Sequence, residues 1–302
     1  MFNQFLNEIS AGKFLLADKS YLANIKFLFQ SENFKLNCPK PEIEVLSKID
    51  NRSVACGHKT LIAANNGDGN IYDSAEQNSI AVIPISGTMF KNNSWWSYGM
   101  DCIADLIKQA NDSDNISGII LLLNTPGGST LSVIRLEEVL RNRTKPVVSV
   151  IDGLCCSGGI YVASFADKIV ALNRMCEIGS IGTYCIIDDF SEYYKKYGIK
   201  EYNIYPPESQ FKNKGYRDVC DKGDDKYLIE TELSPYAVHF QNLIKENRPN
   251  LKTSTEGILE GKVFYAYDAV ENGLIDDIMN FDAAVALTQS LVEQKKTLAS
   301  LF

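Results

Sequence analysis

The chain has 302 residues, 45% hydrophobic and 23% charged, with 38 acidic against 30 basic side chains and a formal net charge of −8. This is the composition of a soluble globular protein, long enough for one large domain or two small ones. The acidic balance argues against a phosphate backbone as partner, so no nucleic-acid role is expected, and no apolar stretch reaches the ~20 residues that span a bilayer.

The opening, MFNQFLNEISAGKFLLADKSYLANIKFLFQ, has neither the basic start nor the uninterrupted apolar run of a secretory leader. A cytoplasmic location without a membrane anchor is therefore expected. Phe2, Phe5, Leu6 and Ile9 recur at helical spacing and predict a docking helix. The Asn-, Asp-, Gly- and Ser-rich stretch NNGDGNIYDSAEQNS predicts a loop. We place the main boundary there, with residues 1–78 as an N-terminal helical extension and linker and 79–302 as the principal domain. Eight cysteines without a CxxC pair, in a chain with two histidines (His58 and His239), predict free thiols and no zinc site. No other metal or cofactor is called for.

From Ser79 the pattern sharpens. IAVIPI (Ile80 to Ile85) predicts a buried strand, and MDCIADLIKQAN (Met100 to Asn111) a helix. SGIILLLN (Ser117 to Asn124) is a continuous apolar strand of the kind buried on both faces of a parallel sheet. LSVIRLEEVLRN follows as a helix with Ser129 or Thr130 as its cap. PVVSVI is the next strand, IYVASFA a helix and KIVAL (Lys168 to Leu172) another strand. This alternation predicts an α/β fold with right-handed crossovers and a site at the carboxyl ends of its strands.

Two glycine-rich turns fall at that place, TPGGST (Thr125 to Thr130) and GLCCSGG (Gly153 to Gly159). Side by side, their backbone N–H groups could hold one oxyanion, with Ser157 next to them. Tight strand-to-helix packing and a phosphate cradle are the alternatives. Neither turn matches a nucleotide-binding motif, and Cys155 stands where a GxSxG elbow needs glycine. A serine needs a base. His239 falls on the edge of an apolar helical stripe, and a desolvated lysine can take the role instead. Cys156 is the competing nucleophile; one residue away, it would face the opposite way from Ser157.

The segments NTPGGS, DGLCCSGGIYVASFADKIVA, EIGSIGTY and EGKVFYAYDAVENGLIDDI, in that order, resemble the Ser-Lys signal peptide peptidase family (protease IV) over about Ser79 to Ile278. The resemblance implies the ClpP/crotonase-like fold, a repeated β-β-α superhelix. It implies Ser157 as nucleophile, with the N–H of Gly158 and of Gly127 or Gly128 as oxyanion donors. It implies a lysine base some 50 residues later, after a strand matched by YGIKEYNIY. Lys212 fits best and Lys214 is the alternative. Gly179, Ser180, Ile181 and Gly182 would then pair with an extended protein or peptide substrate. Relatives form rings, so a homo-oligomer is implied. FLNEISAGKFLLA resembles the opening of phage members that mature capsids, which makes phage capsid or portal proteins the expected partners. A soluble signal-peptide or general peptidase is the second reading. A crotonase-like acyl-CoA enzyme, or an inactive scaffold, is the third.

Overall fold

The computed structural model describes residues 14–16, 42–46, 58–62, 70–93 and 98–301. The helix expected over Phe2 to Ile9 lies outside these residues. The strands are β1 Phe14–Leu16, β2 Glu42–Leu46, β3 His58–Ile62, β4 Ser79–Ser86, β5 Ile116–Thr125, β6 Gly127–Ser129, β7 Val147–Cys156, β8 Lys168–Ala171, β9 Glu177–Gly179, β10 Val263–Tyr265 and β11 Asp277–Ile278. The helices used below are α1 Met100–Asp112, α2 Ile134–Arg141, α3 Gly158–Ala163, α4 Ser191–Lys196, α5 Lys214–Lys222, α6 Ser234–Asn247, α7 Ala266–Glu271 and α8 Phe281–Ala299.

The apolar β-branched runs pair where their pattern places them. β4, β5 and β7 are parallel neighbours at the centre of a nine-stranded sheet whose main path is β10-β9-β7-β5-β4-β2-β3. Alternate residues face opposite sides. Ala81, Ile83, Ile119 and Leu121 point into the larger core beneath α1, α2 and α6, and Ile80, Val82, Ile120 and Val148 into a smaller one under α8. Both faces are covered, which is why these strands read as continuous apolar runs. β2 pairs antiparallel with β4 (Val45 opposite Ala81), so the sheet crosses the boundary drawn near residue 78.

β7 is longer than its apolar run predicts. PVVSVI continues through Asp152 and Gly153 to Cys156, and the strand forks. Its first half (Val148 to Ile151) pairs in parallel with β8, and its second half (Leu154 to Cys156) in parallel with β9. The bend falls at Gly153, at φ 115°. A Cβ there would stand 2.8 Å from Asn124 Oδ1, so only glycine lets the strand turn from one partner to the other. The stretch that reads as a loop is thus half strand, because tertiary pairing with Glu177–Gly179 overrides its glycine content.

YGIKEYNIY differs the other way. Residues 199–206 adopt no regular element, and Tyr202 and Ile204 are 76% and 89% exposed. Their alternation suits a strand, but no sheet edge meets them among the described residues, and a strand cannot stand unpaired.

Candidate active site

β7 ends at Cys156 and α3 begins at Gly158, leaving Ser157 at the corner. Its backbone is at φ 53°, ψ −117°, well outside ordinary space for a residue with a Cβ. Such a conformation costs about 1–3 kcal/mol and persists only where the surroundings enforce it. Here the Ser157 N–H donates to the Gly179 carbonyl (2.8 Å), and the Ser157 carbonyl accepts from the Tyr161 N–H (3.0 Å). The residue is 1% exposed. Gly158, first in its helix, has no acceptor for its N–H within that helix.

The second glycine turn lies against this corner: a Cβ on Gly158 would be 3.6 Å from Gly127 Cα. Its inner edge is fastened to Met89. The Met89 N–H donates to the Gly127 carbonyl (2.9 Å), and the Ser129 N–H donates to the Met89 carbonyl (2.9 Å). The approach is so close that a Cβ on Gly128 would fall 1.9 Å from the Met89 oxygen. The Gly127 N–H donates to Thr125 Oγ1 (3.0 Å). Of the two glycines left open by the sequence, Gly127 therefore has its N–H engaged within the turn. Gly128 directs its N–H and carbonyl to the opposite, outer edge, by the alternation of a strand. That outer edge carries β1, antiparallel, with Phe14 opposite Ser129, Leu15 opposite Gly128 and Leu16 opposite Gly127.

The four residues expected to receive a substrate strand are placed unevenly. Gly179 is paired on both sides, with Cys156 in β7 and Val263 in β10. A Cβ on it would stand 2.5 Å from the Lys262 carbonyl oxygen. The Ser180 N–H donates to that same oxygen (2.9 Å), and Ile181 is fully buried. Gly182 faces open space. The first two are thus engaged in holding Ser157 and β10.

The lysines lie on a separate segment. Lys212 sits exposed in the turn before α5, its N–H donating to the Ser209 carbonyl (3.0 Å). Lys214 is committed elsewhere. Its ammonium bonds Asp218 and lies 4.7 Å from the centre of the Tyr227 ring. Hydrogen bonds from Lys214 and then Lys222 (2.7 Å) hold the Asp218 carboxyl down at about 2. No hydrogen bond joins either lysine to the Ser157 hydroxyl among the described residues.

Cys156 is a poor rival. Its thiol faces the Glu177 carbonyl (3.6 Å), and burial, with Glu177 adding, pushes its pKa up to about 12. Cys155 is completely buried, and burial pushes its thiol well up. Neither holds the thiolate that reactivity requires at neutral pH.

His239 does not reach the serine. Its Nε2 lies 3.1 Å from the Tyr161 hydroxyl, which donates to Glu137. Burial, then that carboxylate, raises the tyrosine pKa. The trio borders a cavity of ≈430 Å³ lined also by Thr130, Val133 and Thr183. Val133 ties the cavity to the corner, since its Cγ1 would stand 3.5 Å from a Cβ on Gly158. Sequence reasoning missed this cavity. Its clue was helical spacing, which puts Tyr161 one turn beyond Ser157 and, on the other helix, Glu137 one turn beyond Val133.

The profile of Peptidase family S49 matches residues 139–295. Protease 4 of Haemophilus influenzae is 30% identical over 74% of this chain and 36% of its own length. Capsid assembly protease C of Escherichia phage lambda is 23% identical over 79% of this chain and 55% of its own. The chloroplastic serine protease SPPA of Arabidopsis thaliana is 26% identical over 62% and 28%. The chain thus spans 28% to 55% of the length of these relatives. Among solved structures, a member of the enoyl-CoA hydratase/isomerase family aligns over 74% of both chains with 18% identity and a TM-score of 0.43. The matched profile covers all of β7, the Ser157 corner, the Gly179 pairing, both lysines and the β10–β11 region, and the chain belongs to Peptidase family S49.

Proposed function

We propose that this chain is a serine endopeptidase that cuts extended peptide segments with a Ser157–Lys212 dyad. The observation that carries the reading is the corner itself. A serine is held at positive φ between a strand and a helix. The Gly158 N–H lies beside it, and strand alternation, with the Gly127 carbonyl and the Ser129 N–H bonded to Met89, turns the Gly128 N–H to the outer edge of the adjacent turn. Lys212 takes the Ser157 hydroxyl proton, and Oγ attacks the scissile carbonyl carbon. The resulting oxyanion rests on the Gly158 and Gly128 N–H groups. Collapse breaks the peptide bond, and the leaving amine receives the proton from Lys212. Water then gives a proton to Lys212 as it attacks the acyl ester; collapse breaks the ester bond, releases the acid, and Lys212 returns that proton to Ser157 Oγ.

A lysine acts as a base only where it is stripped of solvent, and Lys212 in one chain is exposed. The segment leading to it displays Phe190, Tyr193, Tyr197, Tyr202, Ile204 and Phe211, all more than half exposed. A homo-oligomeric ring, in which this apolar segment lies on a neighbouring copy, supplies the missing burial.

For the substrate we favour phage capsid or scaffold proteins during head maturation. The likeness to the lambda capsid protease over 79% of the chain supports this, as does the opening FLNEISAGKFLLA. A signal-peptide or general peptidase is the second reading, favoured by the higher identity to Protease 4.

The test is intact-mass measurement with a fluorophosphonate probe on wild type, Ser157→Ala, Lys212→Ala and Cys156→Ala. Labelling is expected for wild type and Cys156→Ala and lost in the other two. Labelling that survives Ser157→Ala refutes the nucleophile. A folded wild type that never labels shifts weight to an acyl-CoA enzyme or an inactive scaffold.

A further inference from the structure

We propose that Phe14–Leu16 is a resident occupant of the edge to which a substrate strand would add, so that the chain competes with its own substrate. The inference rests on the peptidase reading for what the substrate is, but not for the occupancy.

β6 has two edges. Two hydrogen bonds to Met89 close the inner one, where Met89 and Gly128 form a parallel bridge. A Cβ on Gly128 would fall 1.9 Å from the Met89 oxygen, so the two backbones are in close contact there. The outer edge is open to a partner, and β1 pairs along it. Because the Gly127 carbonyl and Ser129 N–H turn inward, the pair at Leu15 and Gly128 is the one whose N–H and carbonyl groups face each other. Gly128 is the residue whose N–H the peptidase reading assigns to the oxyanion. A strand in the β1 position therefore engages the same backbone that a reacting carbonyl needs.

The rival edge is closed. Gly179 lies between β7 and β10, and the Ser180 N–H is taken by Lys262. β6 is a described strand beside Ser157 whose outer-edge partner is a three-residue segment from far along the chain. Its sequence continues into Thr130, which lines the ≈430 Å³ cavity beside the corner. A longer peptide could pair on the β6 edge and also fill that cavity. β1 pairs over three residues, few enough for such a peptide to displace it.

The occupancy can be measured without turnover. A fluorescein-labelled peptide of residues 12–18 (GKFLLAD) is titrated by anisotropy into Ser157→Ala and into Ser157→Ala carrying Leu15→Pro. Proline removes the N–H that would face Gly128 and changes no residue of β6 or α3. Binding about tenfold tighter in the double variant is expected, the ratio for an edge occupied nine-tenths of the time. Leu16→Pro in the same background is the second variant, and circular dichroism checks folding of each. Equal affinity in all three overturns the proposal. So does Ser157-dependent loss of the first residues from wild type by a cut within Phe14–Leu16, which would make this strand a first substrate. Fluorophosphonate labelling of the wild type separately reports whether the peptidase reading stands. Failure of labelling with tenfold tighter peptide binding leaves the occupancy intact.

Discussion

The Ser157 corner and the Lys212 segment are opposite in kind. The corner lies between three strands, its serine 1% exposed and held by backbone hydrogen bonds on both sides. The lysine segment runs from α4 into α5 with no buried residue in α4 and a row of exposed aromatic side chains. Ser157 and the two glycine turns are thus fixed by this chain's own sheet, whereas Lys212 sits on a surface the same core does not hold. If the proposed dyad forms, one half of it is preorganised and the other is positioned by association.

The sharpest way to break that contrast is to separate the halves. Ser157→Ala and Lys212→Ala should each lose activity by about 10⁴-fold or more, as nucleophile and base losses do. Co-expressed, the two inactive variants should regain peptidase activity if Lys212 serves a neighbour's serine. A mixed oligomer with no activity, shown by native mass spectrometry to contain both variants, would place both groups in one chain.

A smaller effect is expected on the fixed half. Gly128→Ala drives a Cβ toward the Met89 carbonyl and moves the outer-edge N–H. Turnover should fall by about 10²–10³-fold, the usual loss for one oxyanion donor. The melting temperature, measured beside it, tells displacement of the turn from loss of the fold.

The smallest effect concerns α5. Asp218 has a folded-state pKa near 2, against an ordinary value of 3.8, because Lys214 and Lys222 bond its carboxylate. A depressed folded value gives stability that is complete above about 4 and is lost as pH falls toward 2. Hydrogen exchange along Lys214–Lys222 should therefore accelerate over that interval. Asp218→Asn should remove the pH dependence, and an unchanged profile would show that the pairs contribute nothing.

The same contrast explains what the sequence revealed. β4, β5 and β8 and helix α1 were readable to within about two residues, because burial on one or both faces writes itself into apolar period. Ser157 and its glycine turns were readable through an ordered set of motifs. The second half of β7 was not, since DGLCC carries the composition of a turn and becomes a strand only through Glu177–Gly179. The Leu15–Gly128 pairing was equally hidden: a three-residue match across more than a hundred positions leaves no local trace. YGIKEYNIY misled in reverse, having a strand's alternation without an edge to join.

One consequence of the backbone at Ser157 belongs to selection. A residue with a Cβ at φ 53° is strained where glycine would be relaxed. Ser157→Gly should therefore melt above wild type, by the equivalent of about 1 kcal/mol, while losing the hydroxyl. Drift toward stability alone would replace this serine, so under the proposed function a serine at this corner is held by its hydroxyl and not by the fold.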